Sequence, residues 1–258
     1  MRISLHKMMS SSVISENLKG VLEKIRVAYE NAPPQTRPKL LPNLIAVSKT
    51  KPKESIIDAY KAGQRVFGEN YIQELLDKSL DPELQRECPD ISWHFIGNIQ
   101  SKNVSKLLKV SHLSVIHTIG SLKIAEKIQN ACLSRSLSFD VLVQVNTSGE
   151  EAKGGVRPGE ETSGLVGYIL NECHNLRFVG LMTIGAYDSS LEAGVDNPDF
   201  IELRKSRVSV ASTFNLTEND LRLSMGMSSD LENAICLGST DVRVGRQIFG
   251  AREYAKKD

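Results

Sequence analysis

The 258-residue sequence lacks most of the features that assign a protein quickly. Its four cysteines, Cys88, Cys132, Cys173 and Cys236, include no CxxC pair, which removes the usual zinc and dithiol redox sites. The expectation is buried, reduced thiols. No apolar run approaches the roughly 18 to 20 residues that a membrane span needs. Charge of one sign is missing too: 32 basic and 31 acidic side chains leave a net charge of +1. A chain whose main partner is nucleic acid or an anionic membrane would normally show a basic excess, so neither is expected. There is no GxGxxG fingerprint, Walker A loop, HExxH pair or GxSxG elbow, which leaves dinucleotide, P-loop, zincin and serine-hydrolase readings without support. No Pro/Gly/Ser-rich linker divides the middle of the chain. One domain with a real core suffices, and small phosphate-bearing ligands remain allowed.

What is present is rhythm. Short runs rich in Val, Ile, Leu and Phe recur from Asn43, Arg65, Ser92, Leu113, Phe139, Arg177, Leu221 and Asp241. Between them apolar residues fall at helical spacing, as in Ile56, Ile57 and Tyr60, or Leu122, Ala125, Ile128 and Cys132. Ser229 followed by Glu232 reads as a capping box, and Gly63 and Gly238 sit where glycine ends a helix. The mean repeat of about 28 residues suits one strand-plus-helix unit. Eight such units make an α/β chain the size of a (β/α)8 barrel, with a doubly wound open sheet as the competing architecture. A preliminary helix is expected over 13–29, before a proline-rich turn at Pro33, Pro34, Pro38 and Pro42. Residues 1–12 read as a flexible arm and 13–258 as a single barrel domain. The segment 189–198 reads as a loop before a long helix.

In a parallel barrel, function gathers where strands end. Lys49, Glu69, Asn70, His94, Gly97, Asn146, Thr183, the run from Ser224 to Met227 and the run from Arg243 to Arg246 all fall at or near strand ends. Each has a plainer reading. Lys49 follows Leu44, Ile45, Ala46 and Val47, and an amine at the mouth of a dry barrel would be desolvated toward the neutral form that attacks aldehydes. A solvated loop charge is the plain alternative. The runs LSMGMSSD and DVRVGRQIFG place small residues with available N–H groups just before helices, where phosphate binds. Tight turns alone would also use those glycines. Strand alternation puts Arg243 either into the barrel or out of it, and an inward guanidinium needs an acceptor. A structural salt bridge is the default, with a cofactor's ring nitrogen or phosphate as the sharper option. His94 reads as a hydrogen-bonded structural imidazole, since no second histidine stands at ligand spacing.

Nine ordered runs make the chain resemble the pyridoxal phosphate homeostasis proteins, related in fold to the N-terminal barrel of alanine racemase. They are AVSKTKP from Ala46, FGENYIQE from Phe67, WHFIG from Trp93, QVNTSGEEAKGG from Gln144, GLMTIG from Gly180, LSMGMSSD from Leu223, GST from Gly238, VRVG from Val242 and IFGAREY from Ile248. The resemblance implies a single (β/α)8 barrel that carries pyridoxal 5′-phosphate (PLP) on Lys49 as a Schiff base. It implies that Ser224, Met225 and Gly226, with Gly245, hold the phosphate, that Arg243 faces the pyridine nitrogen, and that Asn70 lies near the ring. Two positions depart from the pattern. Arg246 stands where relatives have Ser or Thr, so it either lends its charge to the phosphate or points to solvent. The order around Lys102 differs as well, which leaves that lysine's role open.

The function implied is a non-catalytic carrier that takes part in intracellular PLP (vitamin B6) homeostasis. Its partners would be PLP and PLP-accepting apoenzymes, and the chain would act as a monomer in the cytoplasm. The basic, serine-rich arm leaves a mitochondrial pool open. The alternative is a PLP-dependent racemase of weak activity. Alanine racemase takes its second base from an additional β domain, and the sequence reaches Asp258 directly after the eighth unit, which favours the carrier.

Overall fold

The computed structural model describes residues 2–186 and 196–251. Eight strands alternate with helices: β1 (Asn43–Val47), β2 (Val66–Glu69), β3 (Ser92–Phe95), β4 (Leu113–Ile119), β5 (Phe139–Gln144), β6 (Leu176–Met182), β7 (Arg222–Ser224) and β8 (Asp241–Val244). All pair in parallel with their sequence neighbours, and β1 pairs with β8 to close the barrel. The closed barrel therefore replaces the open-sheet alternative. The helices are α1 (Arg2–Asn31), α2 (Lys53–Lys61), α3 (Ile72–Ser79), α4 (Pro82–Glu87), α5 (Val104–Leu107), α6 (Leu122–Leu133), α7 (Glu160–Glu172), α8 (Pro198–Thr213), α9 (Leu231–Cys236) and α10 (Arg246–Phe249). Among the described residues, no helix is long and apolar enough to cross a membrane.

Side-chain alternation sorts each strand into two faces. Ala46, Phe67, Trp93, Phe95, Ile116, Val141, Val143, Leu181, Leu223, Val242 and Val244 join the large core between sheet and helices. Val115, Leu142 and Met182 form a separate small cluster inside the barrel. Trp93 and Phe67, both essentially fully buried, meet with ring centroids 5.9 Å apart at a tilt of 56°.

Helix boundaries follow local chemistry. Ser121 accepts from Ile124 N at 3.3 Å to start α6. Asp81 and Asn197 each cap a helix whose first residue is proline, Pro82 in α4 and Pro198 in α8. Gly63 (φ +106°) and Gly238 (φ +100°) follow α2 and α9 in the left-handed conformation expected of them. The capping box at Ser229 does not form. Asp230 occupies the N-cap of α9 and makes no side-chain cap, because its Oδ1 accepts from Met227 N at 2.5 Å in the preceding loop.

The first helix begins at Arg2 rather than Val13, since no proline interrupts it before Pro33. It packs across α2, α9 and α10, and Asn17 Nδ2 donates to Ile248 O at 3.1 Å. Most of the expected loop at 189–198 lies outside the described residues. All four cysteines are free, and Cys88, Cys132 and Cys173 are buried. Burial pushes each of those three thiols up to about 11.

Gly97, just after β3, is fixed by close approach: a Cβ there would lie 1.9 Å from the Asn70 carbonyl oxygen. Two strand ends meet at that point with no space for a methyl group. Gly97→Ala is expected to lower stability by about 2 to 3 kcal/mol, because backbone cannot yield as a side chain can. A urea midpoint within error of wild type would contradict this account of the rim.

Candidate functional site

Parallel closure brings the ends of β1, β2, β7 and β8 to one rim. Ile45 pairs with Arg243 across the β1/β8 seam, and Val47 pairs with Gly68 across β1/β2. Carried two residues on, the second register sets Lys49 level with Asn70. Alternation places Lys49 on the same side of its strand as Ile45 and Val47, the side that Arg243 shares.

The turn carrying Lys49 is held by a buried cluster that the sequence pattern did not assemble. Glu69 is fully buried, and its Oε1 accepts from Ser48 Oγ and from Lys78 Nζ, each at 2.7 Å. Lys78 also donates to Ser48 O at 2.8 Å and to Glu74 Oε1 at 2.6 Å, and Glu74 Oε1 accepts from Thr50 N at 2.6 Å. Burial raises the Glu69 carboxyl above its ordinary range, with Lys78 opposing the shift. Lys49 is half-buried, and Thr50 beside it adopts φ +61°, which is uncommon for a residue with a side chain. The signal that could have found this cluster is the run Glu69, Glu74, Lys78, whose last two members stand one helical turn apart on α3.

Arg243 points inward. It is 5% exposed, and its guanidinium donates from NH1 to Ser224 Oγ and from NH2 to Thr183 O, both at 2.8 Å. No carboxylate forms an ion pair with it among the described residues, so the default salt bridge is replaced by neutral acceptors. Burial brings its pKa down to about 10. Ser224 Oγ also lies 3.1 Å from His117 Nδ1, and His117 Nε2 lies 3.0 Å from His94 Nδ1. His94 is thus the structural imidazole expected of it. His117 is its partner. Their link follows from inward parity on adjacent strands, which spacing along the chain does not reveal.

The glycine-rich loops divide their donors. Met225 N donates to Asp241 O at 3.2 Å and Met227 N to Asp230, while the Gly226 carbonyl accepts from Arg243 N at 3.0 Å. The backbone N–H groups of Gly226, Gly245, Arg246 and Gln247 have no acceptor among the described residues. Of the expected cradle, then, Met225 spends its N–H on the sheet and Ser224 its hydroxyl on Arg243 and His117. Gly226 and Gly245 remain available. A Cβ on Gly226 would fall 2.5 Å from Ala234 Cβ, and one on Gly245 would fall 3.0 Å from Val47 O. Gln247 Nε2 donates to Ser228 O at 2.9 Å and ties the two loops together, leaving Gln247 Oε1 buried without a partner. Asn70 Oδ1 is likewise buried and unpartnered. Arg246 is exposed at the start of α10, and Lys102 is exposed in the turn before α5. Asn146 donates to Glu150 O at 3.0 Å within its own loop.

A family model described as alanine racemase, N-terminal domain, matches residues 35–253. The pyridoxal phosphate homeostasis protein of Homo sapiens is 45% identical over 242 residues, covering 93% of this chain and 87% of that protein. That of Caenorhabditis elegans is 41% identical over 252 residues, covering 96% and 100%. The chain belongs to the pyridoxal phosphate homeostasis protein family. Among solved structures, PipY of Synechococcus elongatus with PLP bound superposes at a TM-score of 0.68 with 28% identity, covering 89% of this chain and all of that one. Alanine racemase from Clostridium difficile shares the fold at a TM-score of 0.67 and 17% identity, with 94% and 61% covered.

The homeostasis-family barrel carries a pH dependence in its interior. Burial lowers the His94 pKa from the ordinary 6.5 to about 4 and that of His117 well below 6.5. An unfolded chain takes up protons at these two histidines below pH 6.5 and the native state does not. Their contribution is therefore full above pH 6.5 and is lost as pH falls toward 4. Each histidine adds a slope of up to about 1.4 kcal/mol per pH unit. Urea unfolding at pH 7, 6 and 5 is expected to show this loss, with a shallower slope for His94→Gln. Equal slopes would place the titration elsewhere.

Proposed function

We propose that this protein binds PLP at the C-terminal rim of the barrel, holds it through Lys49 Nζ as a Schiff base, and serves as a non-catalytic carrier in PLP homeostasis. When bound, PLP supplies an amine-reactive aldehyde and an electron-withdrawing ring. The observation that carries the reading is the meeting, on neighbouring strands, of Lys49 with an inward guanidinium and two loops of uncommitted N–H groups.

The residues fit the group. Gly226 and Gly245 keep their N–H groups free where a side chain would crowd the neighbouring elements, which suits the close approach of a phosphate. Arg246 adds positive charge from the solvent side of the same loop. The buried, unpartnered Asn70 Oδ1 offers an acceptor level with Lys49. Arg243 retains further N–H donors and is not neutralised by a carboxylate among the described residues. A cation opposite a pyridine nitrogen disfavours its protonation and makes the ring a weak electron sink, which suits holding the cofactor better than reacting with it. The homeostasis names of the curated relatives and the PLP-bound PipY structure support the same reading.

Purified protein incubated with PLP is expected to show a visible imine band that borohydride fixes to a peptide containing Lys49. Lys49→Ala should abolish the fixation, and survival of the band would assign the lysine wrongly. The PLP-loaded protein is expected to exchange no deuterium into the α-carbon of alanine. Measurable wash-in would favour the racemase reading over the carrier.

A further inference from the structure

The barrel interior holds a run of hydrogen bonds that neither Lys49 nor the glycine loops use: Arg243 to Ser224 at 2.8 Å, Ser224 to His117 at 3.1 Å, and His117 to His94 at 3.0 Å. All four side chains are at least nine-tenths buried. A guanidinium has donors and no acceptor, so Arg243 occupies a lone pair of Ser224 Oγ. Among the described residues the only other partner of that hydroxyl is His117 Nδ1. If Nδ1 carried a proton, Ser224 would face two donors and its own buried O–H would be unpaired, a costly arrangement. Ser224 therefore donates to Nδ1, His117 carries its proton on Nε2, and that N–H donates to His94 Nδ1. His94 is left with its proton on Nε2. His94 lines a cavity of about 700 Å³ at the N-terminal end of the barrel, with Leu41, Leu221, Arg222 and Asp241.

We propose that His117, backed by His94, is a positioning residue for Arg243. By accepting the hydrogen bond of the Ser224 hydroxyl it leaves that oxygen's lone pair turned to Arg243, and so fixes which guanidinium N–H groups are tied down and which are left for a ligand at the rim. Ser224 belongs to this device and is not a phosphate donor. The inference rests on the reading that Arg243 faces PLP. Thr183 O, the second acceptor of Arg243, cannot take over this role, because a carbonyl oxygen has no proton whose direction needs setting.

The test uses the whole chain labelled with ¹⁵N-histidine, without cofactor, in long-range ¹H–¹⁵N spectra at pH 7, assigned with His94→Phe and His117→Phe. Both rings are expected to be neutral, with Nδ1 bare and Nε2 protonated. Ser224→Ala should let His117 populate the Nδ1-protonated form. A wild-type His117 protonated on Nδ1, or a His117 signal unmoved by Ser224→Ala, would overturn the proposal. The second measurement compares His117→Leu with His117→Gln, whose amide offers both an acceptor and a donor. His117→Leu is expected to retain PLP about tenfold less tightly and to shift its absorption maximum, and His117→Gln to restore most of both. Equal losses in the two variants would reduce His117 to packing. A wild-type chain that takes up no PLP would defeat the underlying cofactor reading, which the tautomer spectrum of the cofactor-free protein does not depend on.

Discussion

The architecture turns on the seam where the last strand meets the first. Asp241, at the start of β8 and almost wholly buried, accepts from the Arg222 guanidinium on β7, from Asn43 on β1 at 3.2 Å and from the Thr240 hydroxyl at 2.7 Å. Burial alone would raise this carboxyl, yet Arg222 and Thr240 hold it below its ordinary range. A buried carboxylate is tolerable only when its oxygens are satisfied in this way. Because its partners come from both neighbouring strands, β7 and β1, and from the residue that leads into β8, the carboxylate specifies which strands are adjacent and in which register. That register sets Arg243 beside Ile45 and Gly245 beside Val47, and so brings the glycine loop of β8 to the strand that leads to Lys49.

From this seam the interior divides into two ends with different chemistry. The C-terminal rim offers an amine, backbone donors and an arginine held by neutral acceptors. The N-terminal end offers compensated charge, Lys39 with Asp220 and Arg222 with Asp241, around a cavity lined also by leucines. The N–H groups of Gly226, Gly245, Arg246 and Gln247, the orphaned Asn70 and Gln247 oxygens and the close approach of Gly97 to Asn70 lie at the other end, which is where a phosphorylated ligand would find its partners.

The Lys49 turn shows how much structure one reactive side chain requires. A left-handed Thr50, a buried Glu69 and the paired Lys78 and Glu74 form a network whose common effect is to hold the Ser48 to Thr50 backbone. Immobilising that backbone fixes where the half-buried Lys49 side chain starts.

The sequence by itself determined the number and order of the strand and helix units and the placement of Lys49, Asn70, Gly226 and Gly245 at strand ends. Periodicity and glycine position are local properties, written within a few residues of where they act. It also carried the family, through nine short runs in a fixed order. Tertiary structure alone decided that His94 touches His117, that Ser224 is spent on Arg243, that Met225 gives its N–H to the sheet and that Arg243 has neutral acceptors in place of a salt bridge. Those outcomes depend on which side chains face one another across a closed barrel. That is set by the register of strands joined far apart in the chain, and a difference of one residue in register would turn every one of these side chains to the opposite face.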